Sequence, residues 1–191
     1  LKRHSDLVRI FATDNLEDAV RTEKIGDEIG SQNNILGSGF EYVHLDKIIE
    51  RGAISIVSLK YPEAYDVEDP FMAATLGLHD MKRWNQAPAN LKMLAENNVP
   101  FVITAYNLKD EKKFRENLLM AIEFGLDKKA ALAALTTVPA KTIGQENKLG
   151  VLKQGAWANF LVTSGDLFDK ESVIYENWVQ GKRSILENVG E

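Results

Sequence analysis

The chain has 191 residues, a hydrophobic content of 45% and a formal net charge of −5. The negative charge disfavours nucleic-acid binding, and no apolar run approaches the ~20 residues needed to span a bilayer. The absence of cysteine excludes a disulfide scaffold, a thiolate metal site and a cysteine nucleophile. Because the chain begins at Leu1 without Met, we expect a piece of a longer protein, and its compartment, cytoplasmic or periplasmic, stays open.

The first two thirds of the sequence alternate apolar runs with helical periodicity. We predict strands at residues 7–13, 34–36, 53–59 and 101–104. We predict helices at residues 16–30, 45–52, 72–97 (interrupted at Pro88) and 112–135 (interrupted at 125–127). Four strand-helix units predict a parallel sheet with right-handed crossovers. Periodicity alone fits a doubly wound sheet and half of an eight-stranded (β/α) barrel equally well.

The last third begins with a helix end, a proline and a strand-rich tail. The helix through residues 130–135 ends near Val138, because the residue before a proline is pushed out of the helical region. Pro139 then fits the first turn of a new short helix. Gly150 and Gly155 bracket a turn before a predicted strand at residues 158–162. Further strands are predicted at 172–178 and 184–185, and we expect the segments 158–162 and 172–178 to pair.

This tail resembles the C-terminal closing segment of the metal-dependent amidohydrolase superfamily, in particular its imidazolonepropionase-like and prolidase-like branch. The residues that carry the resemblance are Ala134-Leu135, Thr137 and Pro139-Ala140, then 150–159 and 179–182. Asn159 stands where the family usually has Asp. The resemblance implies an α/β fold: the C-terminal half of a (β/α)8 TIM-type barrel, with four βα units, in residues 1–145. A small β-sandwich-type subdomain then follows in residues 146–191.

The resemblance also implies where metal ligands would stand. The family uses a His after the fifth strand, a His after the sixth and an Asp after the eighth, together with a His-x-His pair on the first strand. The corresponding strand ends here, residues 11–15, 37–42 and 103–107, contain none of those three ligands. The histidines present, His4, His44 and His79, are better interpreted as surface or cap residues. We therefore expect no metal and no cofactor in this segment, although the family usually binds zinc or another divalent metal.

Polar side chains at the predicted strand ends are the candidates for substrate binding. They are Asp14, Glu41, Lys60, Thr104 and Asn107. Asp14 is interpreted more readily as a helix cap, and Glu41 as a solvated acid in the first turn of a helix. Lys60 is long enough to reach a substrate anion or to pair with a loop. No residue is assigned as catalytic.

Two functions fit these observations. The first is an amidohydrolase-like protein whose full-length parent hydrolyses C–N bonds other than peptide bonds, with this segment inactive alone. The alternative is a non-catalytic amidohydrolase homologue that has lost its metal site and acts as a binding or structural domain. The expected partners are a small-molecule substrate and either a second copy of the chain or the missing N-terminal half. Half a barrel has two open parallel edges and one uncovered face, and no nucleic acid or membrane partner is expected.

Overall fold

The computed structural model of the protein describes residues 7–13, 16–30, 33–52, 54–110 and 112–186. The chain divides into two compact units, Leu1–Asp127 and Lys128–Glu191. The sequence placed residues 128–145 with the predicted barrel, whereas this division groups them with the tail. None of the described helices is long and apolar enough to cross a membrane.

The first unit contains a parallel sheet whose strands follow one another in chain order. Its strands are β1 (Ile10–Ala12), β2 (Asn34–Leu36), β3 (Ser55–Ser58) and β4 (Phe101–Thr104), and they lie in the order β1-β2-β3-β4. All three neighbouring pairs are parallel, which confirms the predicted parallel sheet and the mixed α/β class. Right-handed crossovers that always advance in one direction bring their helices to the same face. The described strands show no reversal of order, which a doubly wound sheet requires at its switch point.

Six helices connect and flank these strands among the described residues. They are α1 (Leu16–Ile29), α2 (Leu45–Arg51), α3 (Pro70–Thr75), α4 (Leu78–Gln86), α5 (Asn90–Glu96) and α6 (Lys113–Glu123), with 3₁₀ turns at Glu41–His44 and Ala87–Ala89. The helix predicted across 72–97 is therefore wrong in one respect: besides the expected interruption at Pro88, it also breaks at Gly77. Leu76 and Gly77 are extended, with ψ of 114° and 157°. The Gly77 N–H donates to the Asp80 carboxylate at 3.2 Å, which begins a new helix there.

The two faces of the parallel sheet differ in burial because side chains alternate along a strand. Ile35 and Val57, each 2% exposed, share a face with the buried Phe101 and Ile103. The buried apolar positions of the helices complete this core: Ala19, Ile48, Leu91, Leu94, Leu118 and Leu119. On the opposite face Ile10 in the edge strand β1 is 53% exposed, whereas Ile56 in the inner strand β3 is 8% exposed. Ile35 is in the core, because its register places it beside Phe11 and Ser55.

The second unit combines two helices with an antiparallel sheet. Its elements are α7 (Lys128–Leu135), α8 (Thr137–Thr142), β5 (Phe160–Thr163), β6 (Ile174–Val179) and β7 (Lys182–Ile185), and the strand order is β5-β6-β7. The predicted pairing of 158–162 with 172–178 is confirmed, since Phe160 lies opposite Trp178 and their rings stack at 5.3 Å. The Gln180 N–H donates to Asn159 Oδ1 at 2.6 Å, so the amide at this position holds the β6–β7 turn.

Gly150 has a specific steric role that gives a test of the second unit. Its φ is +77°, and an added Cβ would lie 2.7 Å from the carbonyl carbon of Thr136 and 3.1 Å from the Ala140 side chain. We expect Gly150→Ala to destabilise the protein by about 3 kcal/mol or more, because backbone strain and overlap with a fixed carbonyl add together. Gly155→Ala is the matched control, since its φ is +86° but nothing lies within 4 Å. We expect about 1 kcal/mol there. Equal losses in urea unfolding would contradict the assigned close packing.

Candidate functional site

The carboxyl ends of the four parallel strands meet at one edge of the sheet. Hydrogen bonds continue the strand alignment past their ends: the Thr13 N–H donates to the Leu36 carbonyl, Gly37 to Ile56, and Leu59 to Thr104, at 2.9, 2.9 and 3.3 Å. A cavity of about 240 Å³ lies at this edge. It is lined by Ala12, Thr13, Leu36, Gly37, Ser38, Phe40, Ser58, Lys60, Arg83, Tyr106 and Asn107. Every strand contributes to this cavity, which is the arrangement that open parallel α/β folds use for ligand sites.

The charged residues of this lining, Lys60 and Arg83, are both basic. The guanidinium carbon of Arg83 lies 4.0 Å from the centroid of the Phe40 ring, a cation–π contact. The Phe40 ring in turn meets Tyr42 edge to face at 6.3 Å. Burial raises the pKa of Tyr42, and the positive charge of Arg83 opposes that rise. Arg83 thus lies over the Phe40 ring, which Tyr42 contacts on its edge.

Hydrogen bonds to Thr104 and Ser58 hold the loop after β4. The Tyr106 N–H donates to the Thr104 hydroxyl at 3.2 Å. The Ser58 hydroxyl donates to the Tyr106 carbonyl and accepts from the Lys60 N–H, which ties the end of β3 to the loop after β4. Asn107 has a φ of +60°, a conformation that asparagine adopts more readily than most residues. These bonds set the backbone positions of Lys60 and Asn107 at the cavity.

A second set of contacts fixes the other side of Lys60. The Asn117 side chain on α6 donates to the Leu59 carbonyl at 2.7 Å, and the Tyr61 hydroxyl donates to the Asn117 carbonyl at 3.1 Å. Burial raises the pKa of Tyr61 well above its ordinary value, so this hydroxyl remains a neutral donor at physiological pH. The backbone around Lys60 is therefore anchored to α6 while its side chain stays exposed.

The interpretation of Glu41 as a solvated acid is wrong. Glu41 is 7% exposed; its Oε1 accepts from the Gly39 N–H at 3.0 Å and its Oε2 accepts from the Asn90 side chain. The Asn90 Oδ1 accepts from the Tyr42 N–H at 2.9 Å, and Asn90 is itself 2% exposed. A Cβ at position 37 would overlap the Glu41 carboxylate, which explains why glycine stands there. The Glu41 side chain joins the β2 loop to α5 instead of lining the 240 Å³ cavity.

The other residues considered from the sequence are dispersed. Asp14 and His4 lie outside the described residues. His44 ends the 3₁₀ turn and lines, with Glu41, a separate cavity of about 40 Å³. His79 lies in the first turn of α4 and is exposed. Within the described ranges no group of three or more His, Asp or Glu side chains could hold a metal ion. The serines, amide and cations of the large cavity do not fit the ligand set of a divalent metal, and we derive no metal step from them.

Three participants were missed by sequence reasoning. Arg83 lies on a helix about two dozen residues past the end of β3 and has no local motif that would bring it to the strand ends. In the sequence, Asn90 and Asn117 look like ordinary amides on a helix surface. Only the fold shows that their side chains make hydrogen bonds to distant residues. The one available signal was Gly37-Ser38-Gly39, whose first glycine makes room for the Glu41 carboxylate.

The buried polar pair gives a stability test. Asn90→Ala removes the donor to Glu41 Oε2 and the acceptor for the Tyr42 N–H. We therefore expect a loss of about 2–3 kcal/mol, since buried polar groups are left unsatisfied. Asn97→Ala is the control at the opposite end of the same helix, because Asn97 is exposed and its amide donates only to the Met93 carbonyl. A change within about 0.5 kcal/mol is expected there. Equal losses of unfolding free energy for the two variants in chemical denaturation would contradict the structural role assigned to Asn90.

Comparisons with known proteins give similarity at the level of structure. No family model matches the chain, and no curated protein matches it. An amidohydrolase from Thermotoga maritima MSB8 is 19% identical, with a TM-score of 0.73 over 95% of this chain and 44% of that one. A prolidase complexed with N-methylphosphonate-L-proline is 17% identical (TM-score 0.63, 92% and 44%). The A. niger ochratoxinase is 14% identical (TM-score 0.63, 99% and 44%).

The chain thus spans less than half the length of each of these proteins. At such low identities the likeness concerns the fold, and it confirms the resemblance that the tail motifs indicated. The structure of this chain is therefore similar to part of the amidohydrolase fold, to an extent expected for one half of such a protein.

Proposed function

We propose that the chain is the C-terminal half-barrel and closing β-layer of an amidohydrolase-like hydrolase that cleaves C–N bonds in its full-length form. The observation that carries this proposal is the likeness to the Thermotoga amidohydrolase over 95% of this chain. The sequential order of the four parallel strands and the cavity of about 240 Å³ at their carboxyl ends support it. The imidazolonepropionase-like and prolidase-like branch remains the proposed position within that group.

The contribution of this chain to such an enzyme would be a wall of the substrate site. Lys60 and Asn107 line the cavity, and Thr104 holds the loop that carries Asn107. In this fold group a metal ion can activate the attacking water, but the described residues supply no ligand set for it. We therefore assign this chain substrate binding, no step of bond cleavage and no activity by itself.

A non-catalytic homologue is the second candidate. The specific observation that favours it is a cavity whose described lining contains two cations and no carboxylate or imidazole. A protein that has lost its metal site can keep such a cavity for binding. The two candidates differ in what a longer form of the protein would do, because only the hydrolase would turn over a substrate.

The metal content and activity of the chain test the assignment. We expect the chain, purified without a His-tag, to carry far less than one equivalent of zinc or manganese by elemental analysis. It should release no amine from a panel of N-acyl amino acids, cyclic amides and proline dipeptides, with or without added metal. One bound equivalent that is lost in Asp14→Ala or Glu41→Ala would contradict the assignment.

The same panel separates the two candidates when it is applied to a longer gene product. Metal-dependent turnover by that protein is expected for the hydrolase. A longer protein that binds no metal when metal is supplied, and that turns over no C–N substrate, would favour the binding homologue and overturn the primary proposal.

A further inference from the structure

We propose that the cavity at the strand ends is a carboxylate-binding subsite, in which Lys60 and Arg83 are the two cationic partners of an acidic small-molecule substrate. The inference rests on the proposed function and deepens it, because it names the chemical group that this half of the protein recognises. It concerns binding alone and requires no bond cleavage.

The first support is an unbalanced charge at the cavity. Neither the Lys60 ammonium nor the Arg83 guanidinium has a carboxylate within ion-pair distance in the part of the chain that the structure describes. Other cations of that part do have such partners, as in Lys109 with Glu63 at 2.9 Å and Arg21 with Asp18 at 3.0 Å. The pKa of the Glu63 carboxyl is lowered chiefly by its hydrogen bond to Lys109, and the charge of Lys60 makes a smaller contribution. Two cations at one cavity, with no acid among its described lining residues, attract an anion from solution.

The second support is that the Lys60 backbone and the Arg83 guanidinium are held in place before any ligand arrives. The Lys60 backbone is held from the N-terminal side by Ser58 and Asn117, and Tyr61 is fixed to α6 on the other side. Arg83 lies over Phe40 at 4.0 Å, a contact that engages its charge and leaves its N–H fork free for a bidentate acceptor. Prepositioned groups lose less conformational entropy on binding.

The size and the remaining donors of the cavity favour a carboxylate over a phosphate. A volume of about 240 Å³ lies below the ~300–1,000 Å³ of sites for drug-sized ligands, so it fits a small acid. Phosphate sites commonly use several backbone N–H groups of a glycine loop. Here the Gly37 N–H donates to Ile56 and the Gly39 N–H to Glu41, so those donors are occupied. Two cations with the Ser38 and Asn107 side chains match the two oxygens of a carboxylate.

A binding experiment with a charged and a neutral probe tests the proposal on the 191-residue chain. N-acetylglycine carries the carboxylate, N-acetylglycinamide is its neutral counterpart, and inorganic phosphate is the competing anion. We expect saturable binding of N-acetylglycine by NMR titration, at least tenfold weaker binding of the amide, and weakening with added salt. Equal affinity for the amide, stronger binding of phosphate, or no binding would each overturn the carboxylate assignment.

Matched variants locate the site. Lys60→Met and Arg83→Met should each weaken N-acetylglycine binding about tenfold or more, and Arg83→Lys should recover part of the loss because the charge remains without the fork. Lys82→Met removes the same charge from the neighbouring exposed position of α4, outside the cavity lining, and should leave binding unchanged. Thermal melts verify that each variant is folded. Equal effects of Lys60→Met and Lys82→Met would show that binding depends on the overall charge of the protein and not on this cavity, and would overturn the proposal. Failure of this test would leave C–N hydrolysis by the longer protein intact as a separate question.

Discussion

The register of the parallel sheet is the constraint on which the other features of the first unit depend. Because side chains alternate along each strand, the pairing of Ile35 with Ser55 and of Val57 with Ile103 commits one face to the core. A one-residue shift of β1 would bring Ile10 into that core, and the same shift of β2 would expose Ile35. The same register aligns the four carboxyl ends, so that loops from all four strands reach one cavity.

The loops at that edge are held by polar contacts instead of apolar packing. Glu41 and Asn90 join the loop after β2 to α5, and Ser58 joins the end of β3 to the loop after β4. Such buried bonds gain little free energy overall but cost much when one partner is lost. They therefore define positions more than they add stability. That role suits a site in which an exposed Lys60 and Arg83 must face one ligand.

The sequence allowed the order of the elements to be predicted, and it failed where contacts between distant residues decide the outcome. Strands β2 and β4 were placed at their observed bounds, because short apolar runs beside Gly or Pro are strong local signals. The break at Gly77 was missed because Asp80 caps the new helix from within an apparently continuous pattern. The burial of Glu41 was missed for a different reason: its partner Asn90 lies 49 residues away in the sequence. Arg83 is the clearest case of a residue that the sequence could not place, since only the fold brings it to Phe40.

We propose that the four-stranded sheet is half of a barrel, with one face that a second half would cover. Ile10, at 53% exposure, belongs to that face together with Ala12 and Leu36. We propose that a second copy covers it when the chain is alone in solution. Sedimentation equilibrium of the purified chain at micromolar concentration tests this most directly. The account predicts a dimer or larger species. A 21.4 kDa monomer with a cooperative melt and no binding of a hydrophobic dye would contradict it.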